Sequence, residues 1–148
     1  MTVRWVPVLV IAGTVFYPGR PSTSDRPRPY AHETAALKAL QILNVAQVQY
    51  NSQFGRFARS LAELGPSVSN LIPADLATGE KRGYKFTMAG TPQGYTIQAV
   101  PTVFGSTGSR TFYADQSLVL RENYGREPAT ANSKEVGSAS TKSRRGAP

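Results

Sequence analysis

Chemistry in this chain would have to come from a short set of side chains. These are one histidine, His32, the scattered carboxylates Asp75, Glu80, Asp115 and Glu122, and the cations Lys81, Arg82, Lys85, Arg110 and Arg121. A serine–histidine nucleophile would run through His32, which lies in a polar helix start with no orienting partner in view. The four carboxylates are spread over loop-like stretches. Calcium wants about six to eight oxygens from converging ligands, and no dense Asp/Asn/Glu loop offers them, so no metal and no other cofactor is assigned. The chain has no cysteine, which removes disulfides, thiolate metal sites and cysteine nucleophiles. "GSTGS" at 105–109 precedes no helix and no lysine, so it does not read as a phosphate loop. Asp115 in "ADQS" has the position of a turn-stabilising aspartate. No catalytic residue is assigned and the chain reads as non-enzymatic, with no small-molecule substrate.

The cations are the remaining candidates. The sequence holds 17 Lys+Arg against 9 Asp+Glu, a net charge of +8. That balance favours anionic partners such as nucleic acid or an acidic surface, or serves solubility alone. Lys81, Arg82, Lys85, Arg110 and Arg121 are candidate anion or partner contacts, with Tyr84, Tyr95 and Tyr113 close in sequence. Cations interleaved with exposed aromatics can grip single-stranded nucleic acid. The alternative is half-buried strand tyrosines and solvated cations.

The elements that would position these groups follow from periodicity. Residues 1–18 carry an apolar run from Trp5 to Phe16, shorter than the ~20 residues of a bilayer span. They read as an export signal or a degenerate apolar segment. Residues 19–30, "GRPSTSDRPRPY", form a Pro/Arg-rich linker. From Ala31 to Phe54 the spacing of Ala36, Leu40, Leu43, Gln47, Tyr50 and Phe54 predicts a helix. Leu37, Ile42, Val45 and Val48 widen its apolar surface, so a sheet should cover one side and other subunits another. Gly55 is the expected stop, in the left-handed conformation. Ser60–Leu64 predicts a stub helix, and "PADLATGEKRG" a loop with one helical turn.

The period then changes to two. "GYKFTMAG" sets Tyr84, Phe86 and Met88 on one face, and "GYTIQAVPTV" sets Tyr95, Ile97 and Ala99 on one face. "RTFYADQ" and "SLVLRE" complete three or four short strands joined by turn signals. A long N-terminal helix packed on a small antiparallel β-meander is the expected fold, of class α+β, over residues 31–124. Residues 125–148 have no aromatic residue and read as a disordered tail.

The run "ETAALKALQILNVAQVQYNSQFGRFARSLAELG" resembles the C-terminal half of the long helix of type IV pilin-like proteins and type II secretion pseudopilins. The resemblance lies in Tyr50, Gly55, Phe57, Ser60, Leu61 and Leu64. It continues in the closing pattern of Gly108, Phe112, Asp115, Leu120 and Arg121, and covers residues 31 to 122. It implies a pilin-like head in which the helix is a spine and the sheet packs on it. The implied function is that of a structural subunit of a surface filament or secretion apparatus, bacterial, extracellular or in the cell envelope. Its implied partners are other pilin or pseudopilin subunits. The family's Glu-bearing apolar stem has no recognisable counterpart in residues 1–30, where prolines interrupt any helix. A truncated, mis-started or divergent N-terminus would each give this pattern. The other reading is a secreted basic binding module, for nucleic acid or anionic glycan, built on the same fold.

Overall fold

A computed structural model describes residues 29–138. The expectations for residues 1–28 and for 139–148 lie outside them.

The first element, α1, spans Pro29–Phe54. It begins two residues before the expected start, because proline at the first helical position gives up only an N–H that no carbonyl would have accepted. Ala36, Ala39, Leu40, Leu43, Ala46, Gln47 and Tyr50 form its buried stripe, at the three- and four-residue spacing that keeps side chains on one face. The helix stops where Gly55 takes φ +69 and its N–H donates to Asn51 O at 2.8 Å. A Cβ at Gly55 would meet nothing within 4 Å. Glycine is needed there for its backbone freedom, not for space.

The stub helix α2, Leu61–Leu64, turns both leucines inward. Its first turn is tied by the Arg59 N–H donating to the Glu63 carboxylate at 3.0 Å, while the Ser60 side chain makes no capping bond. One further turn, α3, spans Ala74–Ala77 and buries Leu76.

Six strands follow, more than the three or four expected. They are β1 Glu80–Lys81, β2 Tyr84–Gly90, β3 Tyr95–Pro101, β4 Arg110–Asp115, β5 Arg121–Tyr124 and β6 Lys134–Glu135. All neighbours are antiparallel and the spatial order is the chain order, β1 to β6, a simple meander. The α+β class holds, with one long helix packed on one antiparallel sheet. Phe86 faces Ala99, which in turn faces Phe112. These residues, with Tyr84, Tyr95, Ile97 and Ala114, meet Leu40, Leu43 and Tyr50 of α1 in one core cluster.

Two boundaries differ from the sequence reading. The strand expected from Ser117 begins only at Arg121. The Asp115 carboxylate accepts from the Ser117 N–H, and the Leu118 N–H bonds Asp115 O, so 115–118 is a turn. The expected disordered tail is corrected over residues 125–138. Ala129 is fully buried, Thr111 Oγ1 donates to Glu127 O at 2.7 Å, and β6 adds to the free edge of β5. This stretch needs little apolar content of its own. It lies over the outer side of β4, where Thr111 and Tyr113 are buried although they alternate with the core residues Phe112 and Ala114.

Candidate functional site

The five candidate cations do not gather. Lys81 sits at the β1 edge and pairs with Asp75 at 2.8 Å. Lys85 stands exposed on the outer face of β2, directly across from Glu80. Arg82 lies in the β1–β2 turn at φ +46, and its carbonyl accepts from His32 Nδ1 at 2.7 Å. Arg121 lies toward the far edge, bonded to Ser133 O at 3.1 Å with Glu135 at 3.7 Å.

Arg110 is not a surface contact at all. It reaches under the start of α1 and bridges Glu33 at 2.8 Å and Glu122 at 2.7 Å. Ser109 adds a backbone N–H and a hydroxyl to the same Glu33 carboxylate, at 2.8 and 3.0 Å. Burial works to raise the Glu33 carboxyl. The bonds from Ser109 and Arg110 more than offset that and hold it below the usual carboxylate range. Burial likewise works against the charged guanidinium, and its two carboxylate partners hold it charged. This network pins helix to sheet.

The tyrosines are core residues, not a stacking platform. Tyr84 OH donates to Arg110 O at 2.8 Å, and Tyr95 OH donates to Asn44 Oδ1 at 3.0 Å. Burial, first, pushes the Tyr95 hydroxyl up to about 12, with the Asp115 charge adding to it. Tyr113 is buried on the outer side of β4. His32 bonds a backbone carbonyl rather than a hydroxyl or carboxylate. Among the described residues no group of three or more His, Asp or Glu could hold a metal ion.

The excess charge lies elsewhere. Residues 29–138 hold ten Lys+Arg and eight Asp+Glu, which leaves seven against one for the two ends of the chain. Most of the +8 therefore belongs to residues 1–28 and 139–148, a distribution that reading the total alone conceals.

What the described residues do present is an apolar face. On α1, Ile42, Val45 and Val48 are 41, 57 and 50% exposed. α1 carries no charged residue after Lys38, so nothing on this face holds water by charge. A shallow groove of about 450 Å³ runs along one flank, between Val45 and Val48 and the side chains of Leu118 and Leu120. A second, of about 530 Å³, runs along the other flank against Leu71. Leu118 is 54% exposed and takes φ +64. That left-handed conformation costs an L-residue roughly 1–2 kcal/mol, and glycine or asparagine adopts it more readily. Periodicity points to the helical part of this surface. It does not reach Leu118, although a branched residue just past a "D-x-S" turn is the signal that would find it. Among the described residues, no helix is long and apolar enough to cross a membrane.

No protein-family model, curated protein or solved structure matches the chain.

Proposed function

We propose that the chain works by assembly, as a non-enzymatic, pilin-like or pseudopilin-like structural subunit of a bacterial surface filament or secretion apparatus, outside the cytoplasm. The observation that carries this reading is the uncovered apolar stripe of α1, Ile42, Val45 and Val48, set against a helix whose other side is sealed by the sheet. Contiguous exposed apolar surface marks a face that another protein covers. The long helix backed by a meander, the break at Gly55 and the stub helix behind it support the pilin-like form of the reading. In that form Gly55 lets the chain leave the spine, and Leu61 and Leu64 fill the angle between spine and sheet. The test is recovery of the tagged chain in the sheared filament or secretion-apparatus fraction of a host with such machinery. Its appearance there, lost with Val45→Lys, is expected. Its absence from that fraction in every growth condition sinks the reading.

A second reading, a basic binding module for nucleic acid or anionic glycan, is favoured by the seven Lys+Arg against one acid in the two ends. Such binding would act through the ends, and it would weaken steeply with salt as the gain from counterion release shrinks. DNA binding that survives deletion of both ends would exclude this form of it.

A further inference from the structure

One end of the sheet gathers exposed aromatic rings and unpaired cations. The meander brings the β1–β2 turn at Arg82–Gly83, the β3–β4 loop 102–109 and the turn after Tyr124 to this end. The start of α1 arrives there too. Arg82 O accepts from His32 Nδ1 at 2.7 Å, the Ser109 N–H donates to Glu33 at 2.8 Å, and the Gly125 N–H donates to Ser109 O at 3.3 Å. At this pole Tyr30, Val103 and Tyr124 are 73, 58 and 66% exposed. Arg126 lies over the Phe104 ring at 5.4 Å. Among the described residues neither Arg82 nor Arg126 makes an ion pair. Two carboxylates of the pole, Glu33 and Glu122, are buried against Arg110 and do not offset these charges at the surface. Glu127 is exposed, but one step back along the sheet, where its carbonyl accepts from Thr111.

Charge and side-chain type select an anionic lipid surface as what this pole meets. Tyrosine is favoured at the headgroup level of a bilayer, where its ring is apolar and its hydroxyl stays wet. Arginine lays an apolar stem along such a surface and keeps its charged head among the phosphates. The linker that joins α1 at this pole adds Arg20, Arg26 and Arg28 against Asp25. Those three with Arg82 and Arg126 reach the cluster of about four to eight cations that anionic headgroups hold. Firm attachment takes two signals, apolar insertion and a basic patch, and Val103 with the two tyrosines supplies the first. A nucleic-acid strand would want stacking rings along one groove. Here the rings sit on a turn and a helix start, beside an aliphatic Val103 that offers a base or phosphate nothing. The apolar stripe of α1 stays free, since Val45 lies about 24 Å along the helix from Pro29.

We propose that this pole, through Tyr30, Val103, Tyr124, Arg82 and Arg126, seats the protein on an anionic membrane surface. The seat uses a different surface from the assembly reading and does not rest on it. The chain has no cysteine, so an introduced one is labelled alone. In the full chain, an environment-sensitive dye on Val103→Cys should shift to the blue on vesicles of phosphatidylcholine and phosphatidylserine, and not on phosphatidylcholine alone. The same dye on Gln93→Cys, in the β2–β3 turn at the opposite end of the sheet, should not shift. Arg82→Asn combined with Arg126→Gln should weaken binding to the mixed vesicles at least about tenfold, with an unchanged thermal melt. Asparagine keeps the left-handed conformation that Arg82 holds at φ +46. Vesicle binding with neither label shifted, or with both shifted alike, places the contact elsewhere and overturns the seat. A double variant that binds as tightly as the parent overturns it too. A single-stranded oligonucleotide that shifts the Val103 label at lower concentration than the vesicles overturns the lipid surface in favour of nucleic acid. Absence of any vesicle binding overturns the proposal and leaves the filament-fraction test standing, and failure in that fraction leaves the seat standing.

Discussion

Gln47 holds the backbone of Ala58 in both directions: its Nε2 donates to Ala58 O at 3.0 Å and its Oε1 accepts from Ala58 N at 2.9 Å. Both residues are fully buried. The chain that leaves the helix at Gly55 is thus returned to the helix at Ala58 by a side-chain amide about two turns from the helix end. Glutamine suits the position because its amide supplies one donor and one acceptor in a plane. Gln47→Leu should therefore destabilise the fold although leucine is more apolar. It leaves a buried N–H and a buried C=O unpaired, at about 1–3 kcal/mol each. Urea denaturation checks this, and a midpoint equal to or above that of the parent would show that the amide pair is dispensable.

The same backbone is approached from the sheet. A Cβ on Gly90 would collide with Ala58 O, so the end of β2 fits against Ala58 only as glycine. Gly55 differs, since space is open and only φ is demanding. Gly90→Ala should cost more stability than Gly55→Ala, and Gly55→Asn should be tolerated better than Gly55→Val. Thermal melts of the four variants rank them, and the reverse order for Gly90 and Gly55 would contradict the close approach.

Acid should loosen the attachment of the helix start. The folded Glu33 carboxyl lies below its ordinary value of 4.5. Its contribution is present above that unfolded value and is lost as pH falls through the lower folded value. Glu33→Gln should flatten the fall in stability below about pH 4.5 while lowering stability at neutral pH. Arg110→Ala, which strands Glu33 and Glu122 among buried groups, should cost about 3–5 kcal/mol at about pH 7. Denaturation midpoints measured from about pH 3 to neutrality test both. A profile as steep in Glu33→Gln as in the parent would mean other carboxylates carry the acid sensitivity.

Leu118→Asn should stabilise the isolated protein by about 0.5–1 kcal/mol, because asparagine tolerates the left-handed conformation that leucine takes at strain. Stability is measured with Val45→Lys in the background, so that association does not mask the gain. A loss instead would place Leu118 among the residues that support the fold itself.

The stretch after Tyr124 should resist proteolysis as far as about residue 138. Ala129 is enclosed over the outer face of the sheet, so Ala129→Arg should unseat it by overpacking, at ~1–3 kcal/mol. Limited proteolysis read by mass spectrometry should then gain an early cut between 125 and 133 that the parent chain lacks. Early cutting there in the parent chain would restore a free tail.

The helix, its stop and the faces of β2 and β3 are legible in the sequence because each is set by neighbours within a few residues. The three- and four-residue spacing from Ala36 to Tyr50 marks the buried side of α1, and the left-handed turn at Gly55 needs only glycine's missing Cβ. The alternation at Tyr84–Phe86 and Tyr95–Ile97–Ala99 fixes which side of the sheet is core. Asp115 as a turn residue is equally local. The cations are not legible in this way, because charge in a sequence carries no direction. Arg110 reads as a surface cation until the meander brings it between Glu33, 77 positions away, and Glu122. Gln47 reads as a polar break in an apolar stripe until the chain returns to it at Ala58. The order of residues 125–138 is likewise invisible locally, since it is held by the outer face of β4 and the edge of β5 rather than by its own apolar content. Periodicity determines what each segment hides, but only the tertiary arrangement decides which distant group it hides against. Ion pairs and side-chain hydrogen bonds act within about 3 Å, and that separation is set by the fold and not by spacing along the chain.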